Sequence, residues 1–226
     1  MKPPLSPLSA MVAGAGIGAL AATILTEPDP VRRVFFSFHF QRDIWRVNQV
    51  KKHWVAKDNR QAAGYFDGSL EELAKTEGST AVKRAINKGL NGQSVTCVLI
   101  GAETYNRHWV DYEIFKSIES GMGVFGVRIH GLKNQAKNTD TAGTNPFSLL
   151  GYGANSAGKL IPNAKYTNGW KPYSDAAPIL PSAAPYLKGR KNPVLSDIFK
   201  IYNWVTDDGY SNFSNWAAAA ARQAGR

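Results

Sequence analysis

Residues 94–114, SVTCVLIGAETYNRHWVDYEI, pass from a short apolar run into a stretch with helical spacing, and that passage decides the fold. The run SVTCVLIG is rich in β-branched residues and bounded by Asn91-Gly92 and Gly101, so it reads as a buried strand. Trp109, Val110, Ile114 and Ile118 then recur at the spacing of one helix face. Glu113 falls on the flank of that stripe, where a carboxylate is half buried. A loop that leaves the carboxyl end of a strand and enters a helix is where open parallel α/β sheets bind ligands. The plainer alternative pairs Glu113 with Lys83 or Lys116 on a solvated face.

The alternation extends in both directions. VFFSFHF, residues 34–40, is near-continuously apolar, as a central buried strand should be, and Ile44, Val47, Val50 and Trp54 mark the helix after it. Along that strand Phe35, Ser37 and His39 share one face and Phe36, Phe38 and Phe40 the other, with His39 and Phe40 at the carboxyl end. Ala63 to Asp67 reads as a weaker second strand. Ser79 predicts the N-cap of a helix through Leu90 that Gly92 stops. A helix over 106–120 and a fourth strand over 124–130 complete the pattern of a parallel sheet with helices on both faces. Residues 131–193 hold no sustained period and are rich in Gly, Pro, Asn and Ser, which predicts a long, functional or mobile loop. Helical spacing returns over 194–205, Asp207-Asp208-Gly209-Tyr210 breaks it, and the alanine-rich 217–226 reads as a frayed helix.

Composition narrows the function classes. The net charge of +10 is uneven: residues 31–60 carry Arg32, Arg33, Arg42, Arg46, Lys51, Lys52, Lys57 and Arg60 against Asp43 and Asp58. Such a face suits nucleic acid, anionic headgroups or nucleotide phosphates. No nucleic-acid-binding motif accompanies it, so nucleic acid is not the expected partner. The single cysteine, Cys97, lies inside the apolar strand, which fits a reducing compartment, and no His/Cys constellation has metal-site spacing, so no metal is expected. Residues 5–26 carry no charge, and MVAGAGIGALAATIL within them admits two readings. One is a membrane anchor, with Arg32 and Arg33 holding the remainder in the cytoplasm; the other is a loosely ordered or surface-docked leader. Pro28 and Pro30 mark a linker, which divides the chain into a leader over 1–30, a folded domain over 31–216 and a tail over 217–226.

Taken in order, VFFSFHF, Arg46-Val47-Asn48, Phe66-Asp67, SVTCVLIG, Arg107 to Ile114, Asn145-Pro146-Phe147 and Asp207-Asp208-Gly209-Tyr210 resemble the TIR-like subunit of the Thoeris antiphage system. The resemblance runs over residues 32–216 and leaves out the leader and the tail. It implies a flavodoxin-like sheet with a long loop-rich and helical C-terminal extension. It implies that NAD⁺ is the substrate, with no added cofactor: nicotinamide is released and the ADP-ribose portion becomes a nucleotide signal, cyclic by expectation, that activates a separate effector. Self-association and a phage-derived trigger also belong to what it implies, as does a cytoplasmic location. Carried over by position, Glu113 is the catalytic glutamate, and Phe36, Ser37, His39, Arg46 and Asp67 lie where the family builds its nucleotide pocket, with Trp109 one turn before Glu113. Asp43 stands six positions past Ser37, one later than the commonest TIR spacing, and receives no ligand role.

The chemistry suits one carboxylate. Glycoside hydrolysis employs two because an alkoxide leaving group must be protonated. Nicotinamide departs as a neutral pyridine, so a single carboxylate that holds ribose hydroxyls and stabilises developing positive charge suffices. Ser37 or His39 could then bond the nicotinamide or ribose, Arg46 meet the pyrophosphate, and Trp109 or Phe36 stack on a ring. Each has a structural alternative in the core or on a solvated helix. The sequence leaves the acceptor at the ribosyl carbon open: water, an internal hydroxyl or an amino acid. The rival reading of the whole chain is a non-enzymatic TIR-type interaction module that keeps the fold and dispenses with Glu113.

Overall fold

A computed structural model of the chain describes residues 32–56, 61–63 and 75–226. The expected leader and the Asp67 end of the expected second strand lie outside these residues, and with them the membrane-anchor reading. Among the described residues no helix is long and apolar enough to cross a membrane.

The first half is α/β as the pattern predicts: β1 (Arg33–Ser37), α1 (Phe40–Val55), β2 (Gln61–Ala63), α2 (Ser79–Leu90), β3 (Val95–Ile100), α3 (His108–Glu119) and β4 (Gly123–Arg128). With β8 (Ile201–Asn203) these strands form one parallel sheet in the order β2-β1-β3-β4-β8, the flavodoxin-like arrangement. All six residues of β3 are buried, because helices cover both faces of the sheet. Phe35, Val98 and Ile100 pack beneath α2 and α3 with Val110, Ile114 and Ile118. Phe36, Cys97 and Leu99 pack on the opposite face with Val47, Val50 and Trp54 of α1. Each such side chain taken from water contributes about 1.5–3 kcal/mol, so the period-2 alternation of β1 fixes which face meets which helix.

The structure corrects the expected elements in four places. β1 ends at Ser37, where its pairing with Val98 of β3 ends, and Phe40 already begins α1, whose first turn closes when the Asp43 amide donates to the His39 carbonyl at 3.1 Å. Gly78, at φ +80, rather than Ser79, precedes the first turn of α2. Inside the expected loop over 131–193 stands a three-stranded antiparallel sheet, β5 (Leu150–Ala154), β6 (Leu160–Tyr166) and β7 (Gly169–Pro172), with Tyr152, Leu160 and Ala164 turned into the core. The helix expected over 194–205 is instead a 3₁₀ turn, Leu195–Asp197, followed by edge strand β8.

The alanine-rich end is likewise ordered. It continues α4 (Gly209–Gln223), whose Phe213, Ala217, Ala220 and Ala221 are buried against the sheet. Gly123 opens β4 at the point of closest approach, where any Cβ would overlap the Ala220 carbonyl.

Candidate active site

Glu113 lies in the second turn of α3 and is 5% exposed, deeper than the flank position suggested. Neither lysine of the solvated-face alternative holds it: Lys83 pairs with Asp175 and Lys116 with Glu119. Its partner is Ser37, the last residue of β1, whose Oγ donates to Glu113 Oε2 at 2.6 Å. Burial pushes the Glu113 carboxyl up to about 8, against the opposing effect of the Ser37 hydrogen bond.

A second pair of hydroxyls fixes the backbone of Glu113. Ser117 Oγ donates to the Glu113 carbonyl at 2.6 Å and lies 2.7 Å from Thr96 Oγ1 of β3. A hydroxyl carries one proton, so with Ser117 committed to the carbonyl, Thr96 is the donor of that second bond. Both residues are fully buried, and they fasten α3 to β3 directly beside the carboxylate.

The remaining candidates separate. His39 is 5% exposed at the start of α1, two residues beyond Ser37. Trp109, a turn before Glu113, is partly buried with its ring edge-on to Tyr112 at 6.2 Å and to His108 at 4.8 Å. Phe36 points to the other face of the sheet, where it stacks on Phe213 at 5.9 Å in the core, so its ring is not presented to the crevice. Arg46, only 2% exposed, is also a framework residue: Nε donates to the Leu132 carbonyl at 2.9 Å and Nη2 to that of Asn138 at 3.2 Å. Its charge faces Asp43 at 3.7 Å and Asp140 at 3.6 Å, so it ties residues 132–140 to α1 and is not free to meet a pyrophosphate. Asp67 lies outside the described residues.

A charged cluster occupies the rim of the same sheet edge. Asp43 is fully buried against Gly101, where a Cβ would collide with its carboxyl, and neither of its oxygens accepts a hydrogen bond among the described residues. Burial pushes it up to about 6 despite Arg46. Its depth was legible: Asp43 shares the helical stripe of Val47, Val50 and Trp54. Beside it Arg42 donates Nε and Nη2 to Asp140, both at 3.0 Å, and Nη1 to Glu103 at 2.6 Å. Arg42 holds the Asp140 carboxyl down at about 2. Arg107 Nη2 donates to the other oxygen of Glu103 at 3.0 Å. Among the described residues no group of three or more His, Cys, Asp or Glu side chains could hold a metal.

Comparison with known proteins identifies the family. Residues 35–134 match the family described as Thoeris protein ThsB, TIR-like domain. The chain is 50% identical over 188 residues to ThsB1 of Bacillus cereus (strain MSX-D12), provisionally named a cyclic ADP-D-ribose synthase, and the match covers 82% of this chain and 98% of that protein. At that identity and coverage, the chain belongs to the Thoeris ThsB family of TIR-like proteins.

Proposed function

We infer that the protein cleaves NAD⁺ at the bond between nicotinamide and ribose and closes the ADP-ribose portion into a cyclic nucleotide that activates a separate effector in antiphage defence. The observation that carries this reading is a single carboxylate, Glu113, held by Ser37 in a nearly water-free position at the carboxyl side of a parallel sheet. The provisional name of the Bacillus cereus relative supports the cyclic product.

Nicotinamide leaves as a neutral base, so no proton has to be supplied to it. Glu113 holds the ribose hydroxyls and faces the developing positive charge at the ribosyl carbon, in surroundings where water cannot screen the attraction. A nucleophilic atom of the same ADP-ribose then closes the ring. Exclusion of water favours that closure over hydrolysis. Ser37 and Thr96-Ser117 keep the carboxylate and its helix in register; His39 and Trp109 border the nicotinamide and ribose. In the cell the protein self-associates, binds NAD⁺ at rest and turns it over only when a phage component triggers it.

Mass spectrometry of nucleotides from cells expressing the full chain, infected and uninfected, tests this with the wild type beside Glu113→Gln. A new cyclic ADP-ribose species in infected wild-type cells and its loss in Glu113→Gln is the expected result. Nucleotide pools that stay identical across a panel of phages would instead favour a non-enzymatic interaction module.

A further inference from the structure

The crevice where chains leave β1 and β3 in opposite directions is the topological switch point of this sheet, the place where such folds receive phosphates. Arg46 does not serve that place, since its guanidinium is committed to Leu132 and Asn138. Two other arginines do border it. Arg42 comes from the chain after β1 and Arg107 from the chain after β3, and their side chains are 39% and 32% exposed.

The carboxylate between them is the informative group. Glu103 presents Oε1 to Arg42 at 2.6 Å and Oε2 to Arg107 at 3.0 Å, so one anion with two oxygens bridges a guanidinium from the chain after β1 and one from the chain after β3. Its side chain is 44% exposed and can turn into solvent. Asp140, by contrast, takes the Nε and Nη2 edge of Arg42 and fixes that guanidinium with Nη1 directed at Glu103. One acid therefore orients the cation, and the other occupies its open edge.

Building on the NAD⁺ reading, the geometry points to Arg42 and Arg107 as the pyrophosphate clamp of the substrate, with Glu103 as an internal placeholder that the phosphates displace. The two phosphates of NAD⁺ carry one negative charge each and offer nonbridging oxygens that can take the place of the two Glu103 oxygens. A purely structural rim would behave differently, because removing the charge of Glu103 would then weaken the edge and gain nothing for a ligand.

Isothermal titration of the full-length chain in a Glu113→Gln background, where no turnover occurs, compares NAD⁺ with nicotinamide riboside, which lacks the pyrophosphate. Arg42→Met and Arg107→Met are each expected to weaken NAD⁺ about tenfold or more, the order of one lost charge-assisted hydrogen bond pair, and to leave nicotinamide riboside unchanged. Glu103→Gln, which keeps the shape and removes the competing charge, is expected to tighten NAD⁺ severalfold and leave nicotinamide riboside unchanged. Equal losses for both ligands in the arginine variants, or NAD⁺ affinity unchanged or weakened in Glu103→Gln, would overturn the clamp. A parent protein that binds nicotinamide riboside and not NAD⁺ overturns the clamp alone; one that binds neither overturns the NAD⁺ reading and the clamp with it.

Discussion

A carboxyl group that holds its proton beyond pH 7 is a poor resting anion at neutral pH. Glu113 is in that position, pushed up to about 8 by burial, so in the empty site it is mostly protonated. On the proposed function the positive charge of the nicotinamide ring of NAD⁺ favours the carboxylate, so substrate binding is expected to help ionise Glu113. The kcat/KM for NAD⁺ cleavage by the triggered enzyme is expected to climb between pH 6 and 9 with an apparent pKa of about 8. The Ser37 hydroxyl donates to the carboxylate and lowers that value, so Ser37→Ala is expected to shift the rise to higher pH and reduce the rate several-fold at pH 7 while sparing it at pH 9. A pH–rate profile of the two proteins decides this, and a uniform loss at all pH values would contradict it. Sequence spacing found Glu113 because a helical stripe locates a flank position. The contact with Ser37 is beyond any period, since it joins residues 76 positions apart through the pairing of β1 with β3. Arg46 shows the converse: its stem lies on the buried side of α1, and only the fold reveals that backbone carbonyls of residues 132 and 138 take up its donors.

Elements with uninterrupted apolar runs were legible, and those built from glycine, alanine and short turns were not. β3 and α3 sit within a few residues of the expected boundaries because burial on both faces of a parallel sheet demands continuous apolarity. The run over 194–205 has apolar residues at helical intervals, yet Ile201 meets a strand edge at Gly126, which has no side chain to hold it off, and the segment joins the sheet as β8. The antiparallel sheet leaves a weak trace in the sequence because Gly151, Gly153 and Pro162 interrupt an alternation that is present: Leu160, Pro162 and Ala164 are buried while Lys165 is exposed. In α4, small size is the signal rather than hydrophobicity: Ala217, Ala220 and Ala221 are buried, and the backbone at Ala220 reaches β4 only because Gly123 carries no side chain. Gly123→Val is expected to force α4 off β4 and to cost about 1–3 kcal/mol, in line with overpacked interiors. Urea unfolding should show a lower midpoint with unchanged slope. A midpoint equal to that of the wild type would mean that the last turns of α4 add nothing to the domain.

For the molecule as a whole, the acids divide into two groups with opposite consequences for stability. Asp43, Asp111 and Glu113 are pushed up to about 6, 7 and 8, in each case chiefly by burial, so the folded chain keeps protons that the unfolded chain has released. Their contribution is fully present below the ordinary carboxylate range and is lost as pH rises through 6 to 8. Asp140 runs the other way: Arg42 holds it at about 2, and the stability it confers is lost only as the pH falls toward that value. The net charge of +10 adds to the acid-side loss, because protonating exposed carboxylates increases the repulsion among the basic residues. Stability is therefore expected to peak at about pH 4 and to decline until about pH 8, the reverse of a protein whose carboxylates are mainly salt-bridged. Glu113→Gln removes the group with the largest upward displacement of the three, so its Tm should exceed that of the wild type by several degrees at pH 8.5 and match it at about pH 4, below the unfolded carboxyl's own range. Calorimetric scans of both proteins across this range measure the difference. Saturating NAD⁺ should narrow it at pH 8.5 by stabilising the wild type, since the cationic ring offsets the cost of an ionised Glu113.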